Sequence, residues 1–131
     1  MDRTKPTTQL LGRFQPWHRG HTELFERAIE HTGQVVIMLR EMEESETDPL
    51  TFEERKAIII RHLAERGYEH KISYEIISVP NITHITYGRN VGYKIEKEEL
   101  GEELEKISGT EERTTFSTLR EYFAKGGRHH P

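Results

Sequence analysis

Residues 7–40 read TTQLLGRFQPWHRGHTELFERAIEHTGQVVIMLR, and the order of patterns in this stretch decides the fold class. Thr7 to Leu11 is a short run of β-forming residues that ends at Gly12, and turn-forming residues fill Gly12 to Gly20. From Glu23 to His31, Leu24, Phe25, Ala28 and Ile29 recur at the spacing that lines one face of a helix. Thr32-Gly33 stops that helix. Gln34 to Leu39 then holds Val35, Val36, Ile37, Met38 and Leu39 in succession, an unbroken apolar run that suits the buried middle of a parallel sheet.

The rest of the chain continues the alternation. Thr51 and Glu54 form a T-x-x-E capping box that opens a helix carrying Ala57, Ile58, Ile60, Leu63 and Ala64, and Gly67 closes it. Ile72 to Val79 is a third β-rich run ended by Pro80-Asn81, and Ile82 to Tyr87 is a fourth before Gly88. A last helix spans about Thr110 to Ala124, with Phe116, Leu119 and Phe123 on one side, and Gly126 to Pro131 is a frayed tail. Strand, helix, strand, helix, strand is the pattern of an α/β, Rossmann-like, doubly wound parallel sheet, here one small domain over residues 1–125. Such sheets bind ligands outside the C-terminal ends of their strands. The third and fourth runs lie too close for a parallel crossover, which takes about a dozen residues. They are expected to form a hairpin or one bent strand.

Composition narrows the function. The chain has 131 residues, 33% of them apolar, and no cysteine, so disulfide scaffolds, thiolate zinc sites and cysteine nucleophiles are excluded. No run approaches the roughly 18 apolar residues of a membrane span, and Met1 to Leu11 lacks the apolar core of a signal peptide, so a cytoplasmic protein without a membrane partner is expected. The net charge of −4 argues against nucleic acid as a partner. Its distribution is uneven: residues 1–40 are net positive, while acid collects in Glu41 to Asp48 and Glu96 to Glu105, both read as solvated connections. A local basic site for a small anionic substrate fits this pattern. The thin apolar content favours burying a face against a second copy, so a homodimer or larger homo-oligomer is expected.

Chemistry concentrates in Gly12-Arg13-Phe14-Gln15-Pro16-Trp17-His18-Arg19-Gly20-His21. A helix N-terminus offers unpaired N–H groups and a positive dipole end that favour phosphate. Gly20 permits close approach to the backbone, and His18 and His21 stand one turn apart, so both imidazoles can face one bound group. Two histidines three residues apart, with no Glu between them and no evident third ligand, do not make a zinc motif.

This string resembles the H-x-G-H segment of the cytidylyltransferase-like nucleotidyltransferase superfamily. Gly12 to His18 is similar to the branch containing nicotinamide mononucleotide adenylyltransferases, and to small cytidylyltransferase-like proteins. A second stretch, Ile107-Ser108-Gly109-Thr110-Glu111-Glu112-Arg113, resembles the superfamily's I-S-[ST/G]-T-x-x-R motif, with Glu112 where an aliphatic residue is common. Gly88-Arg89-Asn90-Val91-Gly92-Tyr93 resembles a G-R-D-V-G-Y segment, with Asn90 replacing the acid.

The resemblance implies transfer of a nucleotidyl group from CTP or ATP to a small anionic acceptor with release of pyrophosphate. A cytidylyltransferase-like enzyme is the leading expectation and adenylyl transfer to nicotinamide mononucleotide the alternative. A nucleotide-binding module with weak turnover is a third, prompted by Glu112 and Asn90. By the same resemblance His18, His21 and Arg113 are catalytic, and Gly12, Arg13, Phe14, Gly20, Gly88, Arg89, Ser108, Gly109 and Thr110 hold the nucleotide. Arg40 and Arg55 meet the acceptor, and Mg2+ arrives on the triphosphate instead of in a protein cage.

Overall fold

The computed structural model describes residues 1–88, 92–96 and 98. Its elements are β1 (Thr8–Gly12), α1 (Arg19–Thr32), β2 (Val35–Arg40), α2 (Phe52–Glu65) and β3 (Tyr74–Val79). The strands form a parallel sheet in the order β1-β2-β3. Leu10 sits opposite Ile37, and Ile37 opposite Ile76, so one apolar row crosses all three strands. Residues 1–85 thus carry two successive βαβ units, as the alternation of patterns predicts.

Both crossovers run in one direction along the sheet. Because such crossovers are right-handed, α1 and α2 fall on the same face. The core follows from this: Leu10, Val35, Ile37, Leu39, Tyr74 and Ile76 from the strands bury against Phe25 and Ala28 of α1 and Ile59 and Leu63 of α2. β2 therefore alternates between fully and half-buried residues, where the unbroken apolar run predicts burial on both faces.

Caps explain the helix ends. Gly33 takes the left-handed conformation, φ +83°, and its N–H donates to Ile29 O at 2.7 Å, ending α1. Thr51 and Glu54 form the reciprocal capping box expected of α2.

Two expectations are corrected. Residues 82–87 form neither a hairpin nor a bent strand: they leave the sheet after Pro80, Ile82 N–H bonds Pro80 O, and Ile85 and Tyr87 are exposed. The β-forming residues there have no strand beside them among the described residues. The third strand starts at Tyr74 and not at Ile72, because the N–H groups of Ile72 and Ser73 turn back to Glu69 O. The last helix and the tail expected at 110–131 lie outside the described residues.

Candidate active site

The loop between β1 and α1 runs from Gly12, the last residue of β1, to His18, the N-cap of α1. It folds into an aromatic lock. Phe14 takes a positive φ of 48°, which turns its ring back over Gly12. A Cβ on Gly12 would lie 2.9 Å from Phe14 Cζ, so any larger residue would have to push the ring aside. Phe14 then meets Trp17 at 5.0 Å and the edge of His21 at 4.9 Å between ring centroids. The buried Trp17 donates its indole N–H to Thr22 Oγ1 at 2.8 Å, which ties the lock to the first turn of α1.

The helix begins four residues earlier than its apolar periodicity suggests, because the two histidines cap it. Gly20 N–H donates to His18 Nδ1 at 3.1 Å, and His18 N–H donates to His21 Nδ1 at 3.2 Å. This is a capping box with imidazoles in place of the usual Ser/Thr and Glu/Gln. The rings stack with centroids 3.8 Å apart and planes 21° from parallel.

Protonation follows from the same geometry. Burial lowers the pKa of His21 to about 3, with His18 and His62 adding repulsion. Burial also lowers His18, helped by His62 and Arg19. Both rings are neutral near pH 7. A neutral ring whose Nδ1 accepts a hydrogen bond carries its proton on Nε2, so each imidazole keeps one Nε2–H donor. No acidic residue in the first turn of α1 offsets its positive end.

Both histidines line a cleft of about 380 Å³, walled also by Leu10 to Pro16 and Leu24. The loop after β2 forms a support beside it. Gln15 is buried, accepts from Leu50 N–H at 3.0 Å and donates to Leu50 O at 3.2 Å. Arg13 reaches both carboxylate oxygens of Asp48 at 3.3 Å. Asp48 is 6% exposed, so it is not part of a solvated acidic loop as its neighbours suggest. Neither contact has a signal in local sequence, since each joins residues 35 positions apart.

The remaining site residues fall as follows. Arg40 ends β2 at the C-terminal edge and donates twice to Asn81 Oδ1, at 2.8 and 3.1 Å. Gly20 is buried in the first turn, where its N–H is engaged by His18. Gly88 is exposed, and among the described residues no atom beyond its chain neighbours lies within 4 Å of where its Cβ would be. Arg55 is 2% exposed: Nη1 donates to Arg13 O at 2.9 Å and Arg40 O at 2.8 Å, and Nε to Thr51 O at 3.4 Å. It lies beneath the loop ends, not on the open face where an acceptor residue is expected. Burial pulls its pKa down while Glu41 and Asp48 hold it up, and a guanidinium stays charged. Arg89, Ser108, Gly109, Thr110 and Arg113 lie outside the described residues.

The site presents donors and positive charge: two Nε2–H groups, the positive end of the α1 dipole, whose Gly20, His21 and Thr22 N–H groups already bond His18, and the half-exposed Arg13 guanidinium, whose charge Asp48 partly balances. Phosphate oxygens match this set and a bare cation does not. Among the described residues no group of three His, Asp or Glu is placed to hold a metal ion, and no helix is long and apolar enough to cross a membrane.

A parallel βαβ domain with a glycine loop and a histidine-capped helix at the C-terminal edge of its sheet belongs to the class of open α/β domains, which take their ligands at that edge. The profile of the cytidylyltransferase-like family matches residues 10–115, and the chain belongs to that family. The nicotinamide-nucleotide adenylyltransferase of Pyrococcus furiosus is 36% identical over 74 residues, covering 55% of this chain and 39% of that protein. The enzyme of the same name from Ignicoccus hospitalis is 38% identical over 73 residues, 54% of this chain and 42% of its own. That from Thermoplasma volcanium is 35% identical over 75 residues, 56% and 40%. The matched segment thus spans about two fifths of these relatives.

Proposed function

We propose that the chain is a nucleotidyltransferase that moves AMP from ATP to a small phosphate-bearing acceptor of the nicotinamide mononucleotide type, releasing pyrophosphate. The names of the similar proteins favour adenylyl transfer over cytidylyl transfer. The observation that carries the proposal is the stacked pair His18 and His21, both neutral, both lining the cleft and both with Nδ1 engaged in the helix cap, which leaves the ring proton on Nε2.

An acceptor phosphate is an oxyanion at neutral pH, so its oxygen attacks the α-phosphorus without a general base. The new P–O bond forms as the bond to the bridging α,β-oxygen breaks, and that electron pair leaves on pyrophosphate. The protein's part is to align the two phosphates and to stabilise the charge that grows on the α-phosphoryl and leaving oxygens. Two neutral imidazole donors suit this, because they need not exchange protons with solvent during the step. Arg13 would approach the same phosphates from the loop. Ser108, Gly109, Thr110 and Arg113 would hold the β- and γ-phosphates, with Gly88 and Arg89 nearby, and Arg40 would meet the acceptor. The nucleotide brings Mg2+ as its own complex, supplying further charge neutralisation. We assign the activity to the cytoplasm and to a homo-oligomer, the latter because a 33% apolar chain gains stability by covering a face with a second copy.

The test is pyrophosphate release from ATP and from CTP against nicotinamide mononucleotide, glycerol 3-phosphate and sugar phosphates. ATP with nicotinamide mononucleotide should be the productive pair, and His18→Ala or His21→Ala should lower kcat about a hundredfold or more in folded protein. Release from no pair, or near wild-type turnover in both variants, would overturn the proposal.

A further inference from the structure

We propose that Arg55 is a positioning residue that sets the height of the glycine loop above the sheet, acting through backbone carbonyls from beneath the cleft and not by touching the acceptor. The parallel ladder between β1 and β2 ends at the pair Gly12 and Leu39. One residue further along each strand, the carbonyls of Arg13 and Arg40 meet the same guanidinium nitrogen, at 2.9 and 2.8 Å. Arg55 thus supplies a side-chain rung where the backbone ladder stops.

Its other contacts anchor that rung. Nε donates to Thr51 O, the N-cap of α2, and Nη2 lies 3.9 Å from Glu41 Oε2. A cation in the first turn of a helix opposes the dipole. Here that position places the charge against the carbonyls of Arg13, just past β1, and Arg40, the last residue of β2. At 2% exposure the side chain has no open face for a ligand, whereas Arg13, whose carbonyl it holds, is 44% exposed and lines the cleft. Moving the carbonyl of Arg13 moves the peptide that leads into Phe14, and with it the ring that packs on Trp17 and His21. Small displacements there change how two reacting phosphates meet.

The inference rests on the proposed nucleotidyl transfer for its kinetic consequence but not for its structural one, and the test separates them. Trp17 is the single tryptophan of the chain and lies in the loop, so its emission reports on loop position without any substrate. In Arg55→Met, which keeps the length of the side chain and removes its donors, Trp17 emission should shift to the red and acrylamide quenching should rise, with far-ultraviolet circular dichroism unchanged. Arg55→Lys, with an ammonium that can reach both carbonyls, should fall between the two. With ATP and nicotinamide mononucleotide, kcat should fall about tenfold to a hundredfold in Arg55→Met while the acceptor KM changes less than about threefold.

A raised acceptor KM with unchanged kcat and unchanged Trp17 emission would overturn the inference and return Arg55 to the acceptor. If Arg55→Met does not fold, NMR of the wild-type protein decides: cross-hydrogen-bond couplings from the Arg55 guanidinium to the carbonyl carbons of Arg13 and Arg40 are expected, and their absence overturns it. A Trp17 shift in a protein that releases pyrophosphate from no pair would refute the proposed activity and leave the positioning role standing.

Discussion

His21→Gln separates the two things the histidine pair does in the folded chain. Glutamine is a usual residue at this position of a capping box, so its Oε1 can accept the His18 N–H bond that His21 Nδ1 now accepts at 3.2 Å. What the change removes is a titrating group. His21 has a folded pKa of about 3, first through burial and then through repulsion from His18 and His62. An unfolded histidine titrates near 6.5. Between these values the unfolded chain binds a proton that the native ring refuses, so stability is full above about pH 6.5 and falls as the pH drops through this window. At 1.36 kcal/mol per unit, the loss from His21 at about pH 5 is about 2 kcal/mol, and water reaching the cleft side of the ring reduces it toward about 1. For a chain of this size that corresponds to a Tm difference of about 4 to 8 °C.

The measurement is thermal unfolding of wild type and His21→Gln from about pH 7.5 to about pH 5, followed by Trp17 fluorescence and circular dichroism. The lost ring contacts to Phe14, Trp17 and His18 lower the variant at every pH, so the slope is the readout and not the offset. Burial also lowers the pKa values of His18 and His70; His70 titrates in both chains and cancels in the difference, while His18 stacks on residue 21 and adds its response to the slope. The wild type should lose stability toward acid faster than the variant. Parallel curves would refute the picture of a buried, neutral His21.

Two further substitutions probe the packing. Gly12→Ala should cost about 1–3 kcal/mol and move Trp17 emission, because its Cβ would press on a Phe14 ring already backed by Trp17 and His21; a wild-type Tm with unshifted emission would show that the ring yields freely. Tyr74 is fully buried at the start of β3, its hydroxyl has no hydrogen-bond partner among the described residues, and burial pushes its pKa up to about 12. Tyr74→Phe should leave denaturant stability unchanged or raise it by up to about 1 kcal/mol; a clear loss would mean that the hydroxyl is bonded in solution.

Much of the fold was legible because its rules are local. The apolar period of Leu24 to Ile29, the continuous run Val35 to Leu39 and the Thr51/Glu54 box each act within a few residues, and each reappears as an element of the structure. Where a local signal had two outcomes, it misled. Ile82 to Tyr87 has strand-forming residues but no neighbouring strand among the described residues, and β-propensity expresses itself only against a partner. The sequence places His18 and His21 at the amino end of the first helix, but histidines seldom cap a helix, so only the folded geometry shows that they do and that α1 starts at Arg19.

The candidate site divides in the same way. Gly12 to His21 carries the resemblance to a family of nucleotidyltransferases in its own residues. The protonation of the two histidines, the burial of Asp48, the Gln15 clamp on Leu50 and the place of Arg55 under the loop could not be read from the sequence. The Gln15, Asp48 and Arg55 contacts join segments 35 to 42 positions apart at the edge of a sheet, and the two histidines are shifted by burial and by His62 of α2. Only chain closure brings those segments together, and with them the burial that shifts a pKa and the carbonyls that a guanidinium can bridge.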